Sequence, residues 1–263
     1  MKIVSLVSSF RLDGNTNRIV SLIEKQLLAI GVRENIPIEI ERIQLGHKDI
    51  MTCRGCRVCF DRGEDKCPLK DDLLSVLNKM NKADGIIAAS PVYVEDVNGI
   101  MKNWIDRMAF ICHRPAFAGK TVYIVTTSGM GTSSHTVNTI KTAFTTWGVK
   151  IAGASRFRAG KWMASSEMET KYAVEIKKAA EQLFRTINDR SYTKPSLYSL
   201  IAFKVQQTCW QKATKQQDTV DYKYWLNMGW LEKDCKYYIP NKAGFVKIGF
   251  ARIIGTIAAA FFI

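Results

Sequence analysis

Nothing in the chain is an uncharged apolar run of the ~20 residues that a membrane-spanning helix needs. The last eleven residues, uncharged after Arg252, fall well short. A secretory leader is not expected either, because the apolar stretch behind Lys2 covers about six residues and runs into polar ones without a small-residue cleavage site. No low-complexity tract or repeat stands out, which excludes a linker and a solenoid. Histidine is scarce. His47, His113 and His135 form no motif with one another, and His135 reads as a surface or capping residue. The lysine and spacing of the G-x-x-x-x-G-K-[ST] nucleotide loop are missing, so ATP is not the expected ligand.

Acidic residues are also short, 24 against 38 basic ones, giving a net charge of +14. Residues 190 to 263 carry eleven Lys or Arg against four Asp or Glu, so the shorter C-terminal part is the more basic. That excess suits either a solvated surface or attraction to an anionic partner. Seven cysteines are present, and Cys53, Cys56, Cys59 and Cys67 crowd into fifteen residues. An odd count clustered in this way fits metal or redox chemistry better than a secreted disulfide framework, and a reducing cytoplasm is the expected location.

Apolar runs at 2–8, 36–43, 85–90, 121–127 and 150–157 alternate with amphipathic segments near 15–30, 70–81, 97–110, 133–147 and 166–187. This is the rhythm of a doubly wound α/β domain, a parallel sheet covered by helices on both faces. In the first helix Ile19, Leu22, Ile23, Leu27 and Ile30 recur at helical spacing, with Gly31 as a natural stop. Such folds bind ligands at the carboxyl ends of the strands. Three loops should meet there: SSFRLDGNT (8–16), SPVYVEDVNG (90–99) and TSGMGTSS (127–134).

The first loop gathers hydroxyl, amide and guanidinium donors at a helix start, where free backbone N–H groups favour a phosphate. Ordinary capping of the helix by Asp13 or Asn15 is the alternative. The order S-x-R-x-x-G-N-T resembles the phosphate loop of the flavodoxin-like NADPH-dependent FMN reductase superfamily, and the resemblance puts Ser9, Arg11, Asn15 and Thr16 on the FMN phosphate. It continues through residues 82–108, where S-P-x-Y is followed by K-x-x-x-D-R. There Pro91, Val92, Tyr93 and Val94 would line the ribityl chain and flavin ring. Read without the resemblance, these are loop-packing residues, and Lys102, Asp106 and Arg107 are helix-surface charges. Ser128 and Gly129 belong to the third loop, whose small residues let a planar ring approach the backbone. Gly129, Gly131 and Ser134 make only an imperfect G-x-G-x-x-G, without the ribose-binding acid of a dinucleotide site. The resemblance covers residues 1 to about 188, a five-stranded flavodoxin-like domain (1–188) followed by a mostly helical extension (189–263).

The spacing C-x2-C-x2-C-x7-C, with Cys67-Pro68 at its end, opens like a ferredoxin run but has a longer last gap. Iron–sulfur flavoproteins of the superfamily carry a compact cysteine motif in this loop. By that resemblance Cys53, Cys56, Cys59 and Cys67 hold a [4Fe–4S] cluster that passes electrons to FMN. Relatives with C-x-G-C-x-x-C and a following K-D-D, here Lys70, Asp71 and Asp72, keep two other readings open: zinc, or redox-active thiols activated by Arg54 and Arg57. The scattered Cys112, Cys209 and Cys235 read as packed thiols.

After Tyr192 the rhythm stops. Trp210, Tyr222, Tyr224, Trp225, Trp230, Tyr237 and Tyr238 lie among lysines. They suit either the core of a helical subdomain or stacking on single-stranded nucleic acid; no recognition motif accompanies them, and nucleic acid is not the expected partner. The apolar tail with Lys242, Lys247 and Arg252 suits interfacial membrane anchoring, or docking in a core or subunit contact. The resemblance implies an FMN-dependent oxidoreductase fed by NAD(P)H or a ferredoxin-type donor. A quinone or free flavin would be the acceptor if no cluster is present. It also implies a homo-oligomer, dimer or tetramer. No acid–base residue is expected, since the flavin itself takes up hydride. A rival from another class is a non-catalytic binding or membrane-associated module that uses the basic extension.

Overall fold

A computed structural model describes residues 1–160, 163–189, 194–213 and 216–261. Residues 190–193, which include Tyr192 where the rhythm stops, and the last two residues of the tail lie outside the described residues. In chain order the elements are β1 (Lys2–Val7), α1 (Asn15–Arg33), β2 (Glu39–Gln44), α2 (Val58–Asp61), α3 (Leu73–Asn81), β3 (Gly85–Tyr93), β4 (Asp96–Val97) and α4 (Gly99–Arg107). There follow β5 (Thr121–Ser128), α5 (Ser134–Thr146), β6 (Lys150–Arg158), α6 (Ser165–Lys171), α7 (Ala173–Asn188), α8 (Leu197–Lys212), α9 (Val220–Asn227) and α10 (Phe245–Ala259).

The sheet order is β2-β1-β3-β5-β6, all parallel, with the short β4 folded back antiparallel on β3. Counting parallel strands only, this is the 2-1-3-4-5 order of a flavodoxin-like α/β fold: the alternation predicts the parallel sheet, and the resemblance implies the flavodoxin-like type. Its central strands are largely buried and mostly apolar because both faces are covered. Val4, Leu6, Ile86 and Ile124 face one core with Trp104 and Phe144. Ile3, Val7, Ile87 and Val125 face the other with Ile19, Ile23 and Leu27 of α1.

Three local differences from the sequence reading have physical causes. Helix α1 runs past Gly31 to Arg33; the glycine is there because a Cβ would lie 2.8 Å from the Ile36 carbonyl oxygen, so it serves a close chain return instead of a stop. The single helix expected over 166–187 is two, broken at Tyr172, whose backbone leaves the helical region and whose hydroxyl bonds both the amide and the carbonyl of Arg158. The helix expected from 97 begins at Gly99, because Asp96 and Val97 pair with β3 first.

Beyond the sheet, a third apolar cluster holds α8, α9 and α10 together around Phe203, Trp225, Trp230, Tyr237 and Tyr238. Trp225 is fully buried and stacks on Phe203 at 5.5 Å. The aromatics are thus mostly core, and the buried rings offer no platform for bases. Burial also pushes the Tyr238 hydroxyl well above its ordinary pKa. The cluster is fastened to the sheet domain by Trp225 Nε1 donating to His113 O (2.6 Å) and Gln206 Nε2 donating to Cys112 O (3.0 Å).

Candidate functional site

The loops after β1, β3 and β5 meet, and each is tied to the next by neutral hydrogen bonds. The Asn98 amide donates to Ser8 O (2.8 Å) while its oxygen caps α4 by accepting from Met101 N (3.2 Å). Its backbone N–H reaches Ser90 Oγ at 3.4 Å. Thr16 and Thr127 share a hydroxyl–hydroxyl bond of 2.6 Å, and Thr136 donates to Glu95 O at 3.2 Å. Asn98 is buried and was not singled out by the sequence reading, although a polar residue just before the helical run 99–107 is an N-cap signal.

In the first loop the Arg11 carbonyl is the closing point, accepting from Gly14 N (3.2 Å), Ser9 Oγ (3.2 Å) and Asn17 Nδ2 (2.8 Å). The Arg11 side chain itself is exposed and pairs with no acid among the described residues. Neither Asp13 nor Asn15 caps α1: the N-cap is Gly14, with no side-chain cap bond. The first N–H groups of the helix are therefore left open to a ligand. Asn15 has a different task, its amide donating to Ala159 O (2.7 Å) and Gly160 O (3.2 Å) and so binding the loop to the end of β6. What it can still offer an anion is its backbone N–H.

The other ring-lining candidates stand at the rim. Pro91 and Val92 are partly buried at the end of β3, while Tyr93 and Val94 are exposed. Val94 and Glu95 have φ of 50° and 61° and make the tight turn between β3 and β4. Two positive φ values are what a two-residue hairpin of this twist needs, but a fully exposed β-branched residue there is strained, a feature that concentrates at ligand clamps. Ser128 donates to Gly131 O (3.1 Å), and a Cβ at Gly129 or Gly131 would meet nothing within 4 Å, so both glycines border open space. A planar ring has room to lie against that backbone. Beside it Ser133, Ser134, Arg156, Arg158, Lys171 and Tyr172 help line a cleft of about 460 Å3. His135 lies 3.3 Å from Asp96 on the surface.

All four clustered cysteines, Cys53, Cys56, Cys59 and Cys67, line one cavity of about 80 Å3, walled by Phe60, Leu69, Leu73 and Phe110. Gly55 and Arg57 adopt positive φ (65° and 62°), and the Gly55 N–H donates to Cys53 Sγ at 3.5 Å. Left-handed turns are a component of the backbone nests that receive anions, iron–sulfur centres included. Among the described residues no three Cys, His, Asp or Glu side chains are disposed around a single metal ion. A cluster, larger than one ion, holds its ligands farther apart. Burial pushes the Cys59 thiol up to about 11, with Cys67 and Cys53 adding to the rise. Arg114 opposes that rise. The activating role expected of Arg54 and Arg57 is therefore not what Cys59 experiences, and Arg57 pairs instead with Asp61 at 3.7 Å. A cysteine raised in this way is inert as a free thiol but is deprotonated on binding a metal centre.

The K-D-D segment closes the neck of this loop. Asp72 accepts from Asp49 N (3.0 Å), and Asp71 accepts from Met51 N (3.0 Å) and from Arg107. Lys102 and Asp106 are the surface pair expected, 2.7 Å apart, but Arg107 is buried. Its guanidinium donates to Met51 O (2.7 Å) and stands 3.9 Å from Cys67 Sγ. Burial alone would raise the Asp71 pKa, yet the hydrogen bonds from Arg107, Leu73 N and Met51 N outweigh it and hold the carboxyl below its usual range. On the far side Arg114 donates to Cys59 O (3.0 Å), to Glu64 (2.6 Å) and to Asp221 of α9, and His113 Nδ1 lies 2.6 Å from the same Asp221. The extension therefore forms part of the cysteine loop's surroundings.

The NADPH-dependent FMN reductase family model matches residues 1–164. An iron–sulfur flavoprotein of Archaeoglobus fulgidus is 32% identical over 154 residues, covering 58% of this chain and 66% of that protein. One from Methanocaldococcus jannaschii is 39% identical over 107 residues, covering 41% and 51%. The alignments thus span less than two thirds of each relative's length. Among solved structures, an NADH:FMN oxidoreductase in its apo form superposes with a TM-score of 0.51 at 18% identity, over 69% of this chain and 87% of its own. At that identity the likeness shows the fold alone.

Proposed function

The chain belongs to the NADPH-dependent FMN reductase family, and from that premise we propose that it is an FMN-dependent oxidoreductase whose cysteine loop holds a [4Fe–4S] cluster. The observation that carries the reading is the position of α4. Asn98 at its start fixes the three converging loops, and Arg107 at its end fixes the cysteine loop. The two lie ~14 Å apart along one helix, at the usual rise per residue. In this reading one helix anchors both loops, and that short span supports electron transfer between them.

In this reading the FMN phosphate is held by the Arg11 guanidinium, Thr16 and the open N–H groups at the start of α1, Asn15 included, while the Ser9 hydroxyl shapes the loop through its bond to Arg11 O. Pro91, Val92, Tyr93 and Val94 bound the ring on one side, and Ser128 and Gly129 on the other. When bound, FMN supplies a ring that accepts hydride and can hand electrons on singly. The protein's part is to position it and to cover it with the rim residues. Arg156, Arg158 and Lys171 give the adjoining cleft a positive lining suited to the phosphates of NAD(P)H. Cys53, Cys56, Cys59 and Cys67 would be the cluster ligands, with Arg107 offsetting the negative charge of thiolate-bound iron. Iron–sulfur relatives of this chain support that part of the reading, and the shared cysteine cavity supports it independently.

Flavin fluorescence titration of the purified protein tests the first half. FMN should bind, Arg11→Ala should weaken it by about tenfold as for loss of one charge-assisted phosphate contact, and NADPH or NADH should bleach the bound flavin under anaerobic conditions. Unchanged FMN affinity in Arg11→Ala would put the phosphate elsewhere.

A further inference from the structure

Helix α10 is apolar nearly all round, yet only one side of it is covered. The side against α8 carries Ala251, Gly255 and Ala259, all buried, and a Cβ at Gly255 would meet Lys204 Cβ at 2.7 Å. Small residues therefore let the two helices approach closely. The opposite side carries Val246, Phe250, Ile253 and Ile257, between 55% and 68% exposed, with Phe245 at 86% beside them. Their spacing of three to four residues makes one continuous stripe. Contiguous apolar surface of this kind marks an interaction site, since scattered exposed apolar residues are ordinary and an aligned row is not.

Charge decides what covers it. No acidic residue follows Asp234, whereas Lys236, Lys242, Lys247 and Arg252 lie in that stretch. Lys247 and Arg252 are fixed on the helix flanks, donating to Pro195 O (2.7 Å) and to Lys233 O (3.0 Å). A second copy of the chain, paired by a two-fold axis, would bring this basic helix against itself, and α10 carries no carboxylate of its own to offset the repulsion. An anionic bilayer surface offers both an apolar layer for the stripe and phosphate headgroups for the cations. No helix among the described residues is long and apolar enough to cross a membrane.

We propose that the free face of α10 binds anionic lipid surfaces, lying along the interface and holding the sheet domain beside the membrane. The proposal is independent of the flavin chemistry. It is tested by flotation of the full-length protein with vesicles of phosphatidylcholine alone and of phosphatidylcholine mixed with phosphatidylglycerol, at low and high salt. Binding should appear only with phosphatidylglycerol, weaken with salt, and fall by about tenfold or more in Phe250→Glu/Ile253→Glu, which removes two interfacial side chains and adds repulsion. Both positions are exposed, so far-ultraviolet circular dichroism should be unchanged. The single variant Phe245→Glu provides a second, smaller decrease should the double variant misfold. Absence of vesicle binding, or equal binding by wild type and both variants, would overturn the proposal. So would a concentration-dependent dimer that Phe250→Glu/Ile253→Glu dissociates, because a second copy would then be the occupant.

Discussion

At its start α4 is held by Asn98, through neutral bonds to Ser8, Ser90 and Met101; at its end it is held by Arg107, a buried cation shared between Asp71, Met51 and the Cys67 sulfur. Neutral bonds contribute about 1 kcal/mol each and fail one at a time. A buried charge pair behaves differently, because removing one partner strands the other in an apolar setting. The side where the three loops converge is accordingly open, with helix N–H groups and glycine edges left for a ligand. The cysteine loop is clamped at its neck by Arg107 and at its back by Arg114 and Asp221, with Cys53 and Cys56 exposed at its outer end.

The strongest way to break this comparison is Arg107→Leu, which leaves the Asp71 carboxylate buried and unpaired. A loss of ~3–5 kcal/mol in urea unfolding is expected, together with loss of iron from the cysteine site. Adding Asp71→Leu should recover much of that stability, since a well-packed apolar pair replaces the ionic one; failure to recover any would show that the cost lies elsewhere. Asn98→Ala should cost less, ~1–2 kcal/mol for the lost cap and loop tie, and should weaken FMN while leaving iron content intact. Equal loss of iron and FMN from that variant would mean that the two ends of α4 are not separately held. Smallest is Val94→Gly, which relieves the positive φ of a β-branched residue and should raise stability by ~1 kcal/mol. A weaker grip on FMN in the same variant would sharpen the comparison by showing that the strained turn presses on the ring.

Much of this was legible from the residues. The apolar runs mark every parallel strand, and the three loops after β1, β3 and β5 do converge. Pattern reading failed where a residue's role depends on a partner far along the chain. Arg107 reads as a surface charge because its helix neighbours Lys102 and Asp106 are; Asp71 and Met51, which bury it, lie 36 and 56 residues back along the chain, on either side of the cysteine loop. Asn98 holds Ser8 through a hydrogen bond from its side-chain amide across 90 residues, and no local periodicity encodes that. Asn15 sits at the expected position, but its side chain is drawn to the end of β6. In the extension, composition could not separate an aromatic core from a stacking surface. Packing of Phe203, Trp225, Trp230, Tyr237 and Tyr238 against one another distinguishes them.

If one helix spaces a flavin site and a cluster site, the protein should carry both groups at once. An anaerobic ultraviolet–visible spectrum of the purified protein, with iron and acid-labile sulfide assayed on the same sample, tests it most directly. Flavin bands over a broad brown absorbance and about four irons per chain are expected, as a centre held by four thiolates requires. Flavin bands without iron or sulfide, from protein prepared and kept free of oxygen, would contradict it and leave a cluster-free flavin or quinone reductase whose four cysteines are thiols.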